Sequence, residues 1–226
     1  MRLILFDCDG TIVDSQHAIS AAMEAAFKAH GLVAPERSRI IEIVGLSLVS
    51  AVRELIPDRE PELINRIAET YKNEFGRMRR MAAHDEPMFP LARETIQALA
   101  AKPGVILGMA TGKSRRGVDA VIERENLRGL FETIQTADHH PSKPHPSMVI
   151  QAMSETGARP EQTVVVGDTT YDMQMALNAR AKAIGVTWGY HPQSALGDSG
   201  AHALINCYSE LPATIDRLLA APGLGK

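Results

Sequence analysis

The stretch Leu3-Ile4-Leu5-Phe6-Asp7-Cys8-Asp9-Gly10-Thr11 decides how this chain is read. Four consecutive apolar residues read as a buried strand, and the run ends abruptly in acid. In a strand, residues two apart point to the same side, so Asp7 and Asp9 converge on one small volume. Two like charges that close are costly unless a cation or a shared proton relieves them, which makes the pair a candidate site. Asp9-Gly10 after an apolar run is also a hairpin signal, and these residues alone leave both readings open.

Outward from this stretch, Asp14-Ser15 suits a helix N-cap. Residues 16–30 carry Ile19, Met23, Ala26 and Phe27 on one helical face, and Gly31 stops that helix. A second segment is apolar at Ile40, Ile41, Ile43 and Val44 and ends at Gly45. A third follows Ser47 and ends at Pro57. The fourth, about residues 60–81, repeats Leu63, Ile64, Ile67, Tyr71, Phe75 and Met78 at spacings of three and four. Four amphipathic helices in succession predict a small helical bundle. The polar stretch 82–87 reads as a linker.

Beyond it, helices and apolar strands alternate. The expected helices are 91–101, 114–126, 146–156 and 170–181, each followed by a strand (Val105–Ala110 after the first, then Thr133–Thr136, Thr163–Val166 and Ala183–Thr187). A short strand near Ala203–Ile205 precedes a last helix, capped by Ser209 and running to about Ala220. This alternation argues an α/β fold with a parallel sheet covered on both faces. The first strand joins that sheet, so the helical bundle is an insertion. The expected division is an α/β core of residues 1–14 and 86–226 with a helical domain of residues 15–85.

Composition narrows the function classes. Of 226 residues, 45% are hydrophobic and 23% charged, as in ordinary globular proteins, and the net charge is −3. With a pI near 6.2 there is no electrostatic footprint for nucleic acid. No apolar run approaches the ~20 residues that span a bilayer. The first strand begins at once and carries the acids, so a cleaved signal peptide would remove them; a cytoplasmic location is expected. Cys8 and Cys207 form no CxxC pair, and neither has Arg six residues on (positions 14 and 213 are Asp14 and Ala213), so a CxxxxxR phosphatase is excluded. Cys8 is expected to pack in the core as a small hydrophobe.

Ligands bind beyond the carboxyl ends of strands in open parallel sheets. Four strand ends here carry suitable residues: Asp7-Cys8-Asp9-Gly10-Thr11, then Thr111-Gly112-Lys113, then Ser142-Lys143-Pro144 by way of a loop, and Gly167-Asp168-Thr169-Thr170-Tyr171-Asp172. Alone, Thr111 reads as a helix cap, Lys143 as a surface lysine, and Asp168 or Asp172 as a cap. Their joint occurrence, each after a separate strand, favours one cluster.

With these residues in view, the chain resembles the haloacid dehalogenase superfamily, in its phosphoglycolate-phosphatase-like branch. Asp7-x-Asp9-Gly10-Thr11 matches the first motif, Thr111 the second, Lys143 the third, and Gly167-Asp168-x-x-x-Asp172 the fourth. The stretch Gly185–His191 resembles the segment beyond the fourth motif in that branch, and the inserted helices fall where the family places its cap domain. The resemblance implies a Rossmann-like three-layer sheet with an α-helical cap. Three positions depart from the pattern: Gly112 stands where many relatives have Asn, Leu91 after Pro90 where Gly is common, and Arg180 at a usual Gly site.

The resemblance also implies a Mg2+-dependent phosphatase acting on a small phosphorylated metabolite, as a monomer or homodimer. Asp7 would be the nucleophile, forming a transient aspartyl-phosphate. Asp9 would be the general acid and base. Asp7, the backbone carbonyl of Asp9, and Asp168 would hold Mg2+, with Asp172 steadying a metal-bound water or Lys143. Thr111, Gly112 and Lys143 would grip phosphate oxygens, Lys143 also offsetting the charge of Asp7.

Asp9 argues against dehalogenases and phosphonatases, which lack an acid there; a sugar-phosphate mutase and a non-catalytic binding protein remain as alternatives. A P-loop is rejected, since Gly112-Lys113-Ser114 needs a Gly at position 107, which is Leu107. His139, His140 and His145 read as a solvated loop. The run Arg77-Met78-Arg79-Arg80 reads as an exposed helix face; turned to the cleft, it would bind a substrate carboxylate or second phosphate, with Arg77 and Arg80 as the residues to test.

Overall fold

Leu3, Ile4, Leu5 and Phe6 are completely buried because β1 (Arg2–Phe6) lies in the middle of a sheet. The structure is a computed structural model that describes residues 1–81 and 86–220. After β1 come four helices with no strand between them: α1 (Gln16–Ala29), α2 (Arg37–Glu42), α3 (Leu48–Leu55) and α4 (Pro61–Arg80). Alternation then sets in, with α5 (Ala92–Ala100), β2 (Val105–Thr111), α6 (Arg115–Arg124), β3 (Thr133–Thr136), α7 (Ser147–Thr156) and β4 (Thr163–Gly167). The chain continues through α8 (Thr170–Asn178), β5 (Lys182–Val186), α9 (Gln193–Asp198), β6 (Ala203–Ile205) and α10 (Leu211–Leu218).

The strand order is β3-β2-β1-β4-β5-β6, and every neighbouring pair is parallel. β1 therefore has no hairpin partner, and the hairpin reading of Asp9-Gly10 fails. Alternate residues of each strand feed opposite faces. Ile4, Phe6, Val164 and Val166 pack against α5, α6 and α10, while Leu3, Leu5 and Val165 pack against α7, α8 and α9. Cys8 is buried in the first of these cores. The inserted helices have a core of their own, centred on Ile19, Met23, Phe27, Ile40, Val52, Ile64 and Ile67. Burying such side chains contributes about 1.5–3 kcal/mol each. Among the described residues, no helix is long and apolar enough to cross a membrane.

Some expectations need correction. Ser15 precedes α1, but its side chain makes no cap bond and turns to Asp9 instead. The helix expected over 170–181 stops at Asn178, because Arg180 adopts a left-handed φ of 59° that no helix continues. Leu91, at the other position where glycine is common, is likewise left-handed, φ 63°. Ser209 caps nothing: it sits in a 3-10 turn, Tyr208–Glu210, and Glu210 is the residue before α10. α9 and the 3-10 turn Pro160–Gln162 add to the expected elements, both too short to show a period. Positions 82–85, most of the expected linker and the boundary drawn after residue 85, lie outside the described residues.

Candidate active site

The chain builds outward from β1 to β2 and β3, then crosses back to lay β4 on the other side of β1. This reversal opens a crevice at the carboxyl ends of β1 and β4. Asp7 follows β1 and Asp168 follows β4. The Asp7 amide still donates to the Val166 carbonyl at 2.9 Å, which fixes its backbone. Gly10, at φ +83°, lets the chain turn hard against Asp168: a Cβ on Gly10 would lie 2.1 Å from Asp168 Oδ2. Gly189 approaches Asp168 from the other side, where an added Cβ would lie 2.1 Å from its Cβ.

Asp7, Asp168 and Asp172 each bring a carboxylate oxygen within 4.8 Å of the others, and all three are buried. Lys143, fully buried, places Nζ 2.9 Å from Asp7 Oδ1 and 2.6 Å from Asp172 Oδ1. Asp172 is occupied on both oxygens: Oδ1 by Lys143, and Oδ2 by the amide and hydroxyl of Thr169 in the capping box that starts α8. Asp168 accepts from the Thr11 hydroxyl at 2.7 Å and from the Tyr190 amide at 3.0 Å. Asp7 differs from both, for no hydroxyl or backbone amide among the described residues donates to its oxygens. Its partner is Lys143 Nζ, 2.9 Å from Oδ1.

Burial and charge compete at each of these groups. Burial lifts the Asp7 carboxyl to about 6; Lys143 pulls it down and Asp172 pushes it up. Burial, reinforced by Asp172 and Asp7, raises Asp168 well above the usual carboxylate range. Burial works against the charge of Lys143, yet Asp172 and Asp7 together hold it above its ordinary value. Three carboxylates facing one ammonium leave negative charge uncompensated. All-oxygen donors with such an excess suit a hard divalent cation, and Asp7, whose oxygens no amide or hydroxyl among the described residues holds, is where one would find room.

Asp9 faces other partners. Its Oδ1 accepts from the Ser15 hydroxyl and from Lys113 Nζ, the latter at 2.6 Å. Lys113 also reaches Glu86 Oε1 at 3.4 Å and lies 5.1 Å from the centre of the Phe75 ring. Burial opposes the charge of Lys113, but Asp9 and Glu86 raise it beyond its normal range. Sequence reasoning passed over Lys113, Glu86, Ser15 and Thr11 as orienting residues. For Lys113 one signal was available, its position directly after Thr111-Gly112.

Thr111 is not the cap of α6. Ser114 takes that role, accepting from the Gly117 amide, and the Thr111 hydroxyl accepts from the Lys113 amide at 3.2 Å. Gly112 carries a steric requirement: a Cβ there would lie 2.6 Å from the carbonyl oxygens of Gly45 and Leu46, in the loop before α3. Asp7, Asp9, Thr111, Gly112 and Lys113 line one cavity of about 620 Å³ between the strand ends and the helical unit. Lys143 and Asp168 are buried beside Asp7. His140 bonds Ser147 and Gln135, and His145 accepts from the Ser147 amide, so the histidine loop is spoken for locally. Of the arginine run, Arg79 lines the cavity; Arg77 pairs with Glu74 on the exposed side, and Arg80 is exposed.

Comparison with known proteins gives the family and the fold. The family model described as haloacid dehalogenase-like hydrolase matches residues 4–186. The probable phosphatase IndB of Dickeya dadantii is 33% identical over 222 residues, covering 96% of this chain and 94% of that protein. The phosphoglycolate phosphatase of Aquifex aeolicus is 28% identical over 191 residues, covering 84% and 86%. A hydrolase from Pseudomonas syringae of known structure shares the fold, with a TM-score of 0.84 at 23% identity over 96% of this chain and 99% of that one.

Proposed function

The chain belongs to the haloacid dehalogenase-like hydrolases, and from that premise we propose that it hydrolyses a small phosphomonoester through a phosphorylated Asp7. The observation that carries this reading is the state of Asp7: buried, lining the cavity, with the Lys143 ammonium 2.9 Å from Oδ1 and no hydroxyl or amide among the described residues donating to either oxygen. A carboxylate so held is a competent nucleophile, since positioning and charge neutralisation dominate phosphoryl transfer.

In the first step an Asp7 oxygen attacks phosphorus and the bond from phosphorus to the leaving alkoxide breaks. Asp9 gives that alkoxide its proton. In the second, Asp9 takes a proton from water, the water oxygen attacks phosphorus, and inorganic phosphate leaves as Asp7 is restored. Ser15 and Lys113 hold Asp9 Oδ1 in place, so that its other oxygen faces the exchange. The Thr111 hydroxyl, the Gly112 amide and the Lys143 ammonium grip the phosphate oxygens. Thr11 and Tyr190 orient Asp168, and Thr169 orients Asp172, which in turn positions Lys143.

Asp7, Asp168 and the Asp9 carbonyl would hold Mg2+, with Asp172 behind them. When bound, that ion would neutralise charge on the phosphoryl oxygens. The four inserted helices, α1 to α4, act as a cap that closes the cavity over the reacting group. The names of the two curated relatives favour a phosphatase, and the Aquifex protein's name makes phosphoglycolate one substrate to try.

A panel of small phosphometabolites, assayed with and without Mg2+, tests the reading. Metal-dependent release of inorganic phosphate is expected, abolished by Asp7→Asn. Release that survives Asp7→Asn would refute the nucleophile, and an isomerised sugar phosphate as product would favour a mutase.

A further inference from the structure

Arg79, near the end of α4, is the one arginine of its run that lines the cavity, and its hydrogen-bonding capacity is largely unused. Its Nε and Nη2 are buried and have no hydrogen-bond partner among the described residues. Nη2 lies 3.4 Å from Glu86 Oε2, near enough for charge attraction but not aligned for a hydrogen bond. Glu86 is already shared between two other cations, accepting from Lys113 on Oε1 and from Arg124 Nη1 on Oε2 at 3.2 Å. Those two cations have further partners: Lys113 has Asp9, and Arg124 has Glu125 at 2.7 Å. Arg79 has no second carboxylate among the described residues.

Buried donors are almost always satisfied, so an unpaired guanidinium edge on a cavity wall needs an explanation. The Phe75 ring, 5.2 Å from the guanidinium carbon, supports the plane of the fork without using its donors. A planar fork of parallel N–H donors matches the two oxygens of a carboxylate or phosphate. A neutral hydroxyl or an aliphatic tail would leave it unmatched.

The geometry points to a second anion subsite at Arg79: the substrate is a phosphomonoester whose leaving group carries another acidic group, carboxylate or phosphate, that takes hydrogen bonds from Arg79 Nε and Nη2. This rests on the phosphomonoester reading above and narrows its substrate class. Arg77 and Arg80, which the sequence alone nominated, have no part in it.

Two matched pairs test it: 2-phosphoglycolate against its neutral amide, and propane-1,3-diyl bisphosphate against 3-hydroxypropyl phosphate. The wild type is expected to favour the anionic member of at least one pair by about tenfold or more in kcat/KM, chiefly through KM. Which pair shows it tells carboxylate from phosphate. Arg79→Gln should collapse that ratio and Arg79→Lys should restore part of it. Equal handling of both members by the wild type overturns the subsite. So does an Arg79→Gln effect that lowers both members alike, the mark of a packing role through Glu86. Calorimetric binding to the Asp7→Asn protein reads the same preference without turnover, with Arg79→Gln added in that background. If the wild type hydrolyses none of the four esters, the phosphatase reading is in difficulty, and the binding difference still decides the subsite.

Discussion

Lys143 shows how much one residue carries. Its ammonium has no exposure, and its contacts are Asp172 and Asp7. Removing one partner of a buried pair leaves the other charge unpaired, which costs about 3–5 kcal/mol. Lys143→Met is expected to lose stability on that scale in urea unfolding at pH 7.5; a loss below about 1 kcal/mol would mean the ammonium is not the counter-charge of this cluster. Asp168 allows a second test that needs no substrate. An ion that binds only the folded chain stabilises it by about 2.7 kcal/mol at a hundred times its dissociation constant. Mg2+ should therefore raise the melting temperature of the wild type and leave Asp168→Asn unmoved. Asp7 and Asp168 stood out in the sequence because each follows a strand end where an apolar run turns polar, whereas Lys143, seven residues beyond β3, stood out only through its place among the other strand ends. Lys113 was not, because its partners, Glu86 and Asp9, lie 27 and 104 residues away and only the fold brings them together.

Elements meet at Glu86, which draws Lys113 from the start of α6, Arg124 from its end and Arg79 from α4. Burial works against its charge, yet Lys113, Arg79 and Arg124 hold its carboxyl below the ordinary value of 4.5. Folding thus favours the ionised form. The resulting stability is complete above pH 4.5 and fades as pH falls through the lower folded value. Glu86→Gln should be less stable than the wild type by about 3 kcal/mol at pH 7, and the gap should narrow steadily below pH 4.5. A gap independent of pH would tie the loss to shape rather than charge. Gly112 is the other meeting point. A methyl group there would drive into two carbonyls of the loop before α3, and such overpacking typically costs about 1–3 kcal/mol. Gly112→Ala is expected to show that loss in thermal melts together with a raised KM. Strong periods made α1 and α4 readable to within a residue or two. The early stop of α8 was not read from period, since only the place of Arg180 at a usual Gly site hinted at its left-handed backbone.

At the scale of the molecule, two bodies of packing face each other across the cavity: the sheet with its flanking helices, and the four inserted helices with a separate apolar core. The alternation of strands and helices pointed to the sheet, and four amphipathic periods in succession to the helical unit, but nothing pointed to the reversal of strand order that sets Asp168 beside Asp7, because pairing across the sheet leaves no local trace. The polar contacts that join the bodies at the loop before α3 are few among the described residues. The Ser47 amide donates to the Ser142 hydroxyl at 2.8 Å, and the Glu42 carbonyl accepts from His191 Nε2 at 3.0 Å and the Tyr171 hydroxyl at 3.4 Å. Ser142 directly precedes Lys143, so this contact couples the loop to the cluster of Lys143, Asp7 and Asp172. Each such bond is worth about 1 kcal/mol net, a factor of about five in an opening equilibrium. Ser142→Ala should therefore speed hydrogen exchange at the Ser47 amide about fivefold while the amides of β1 and β4, sealed in the sheet, keep their protection. Equal acceleration in the strands would show global destabilisation. An unchanged Ser47 would show that the apolar contacts of the helical unit, not this bond, hold it over the site.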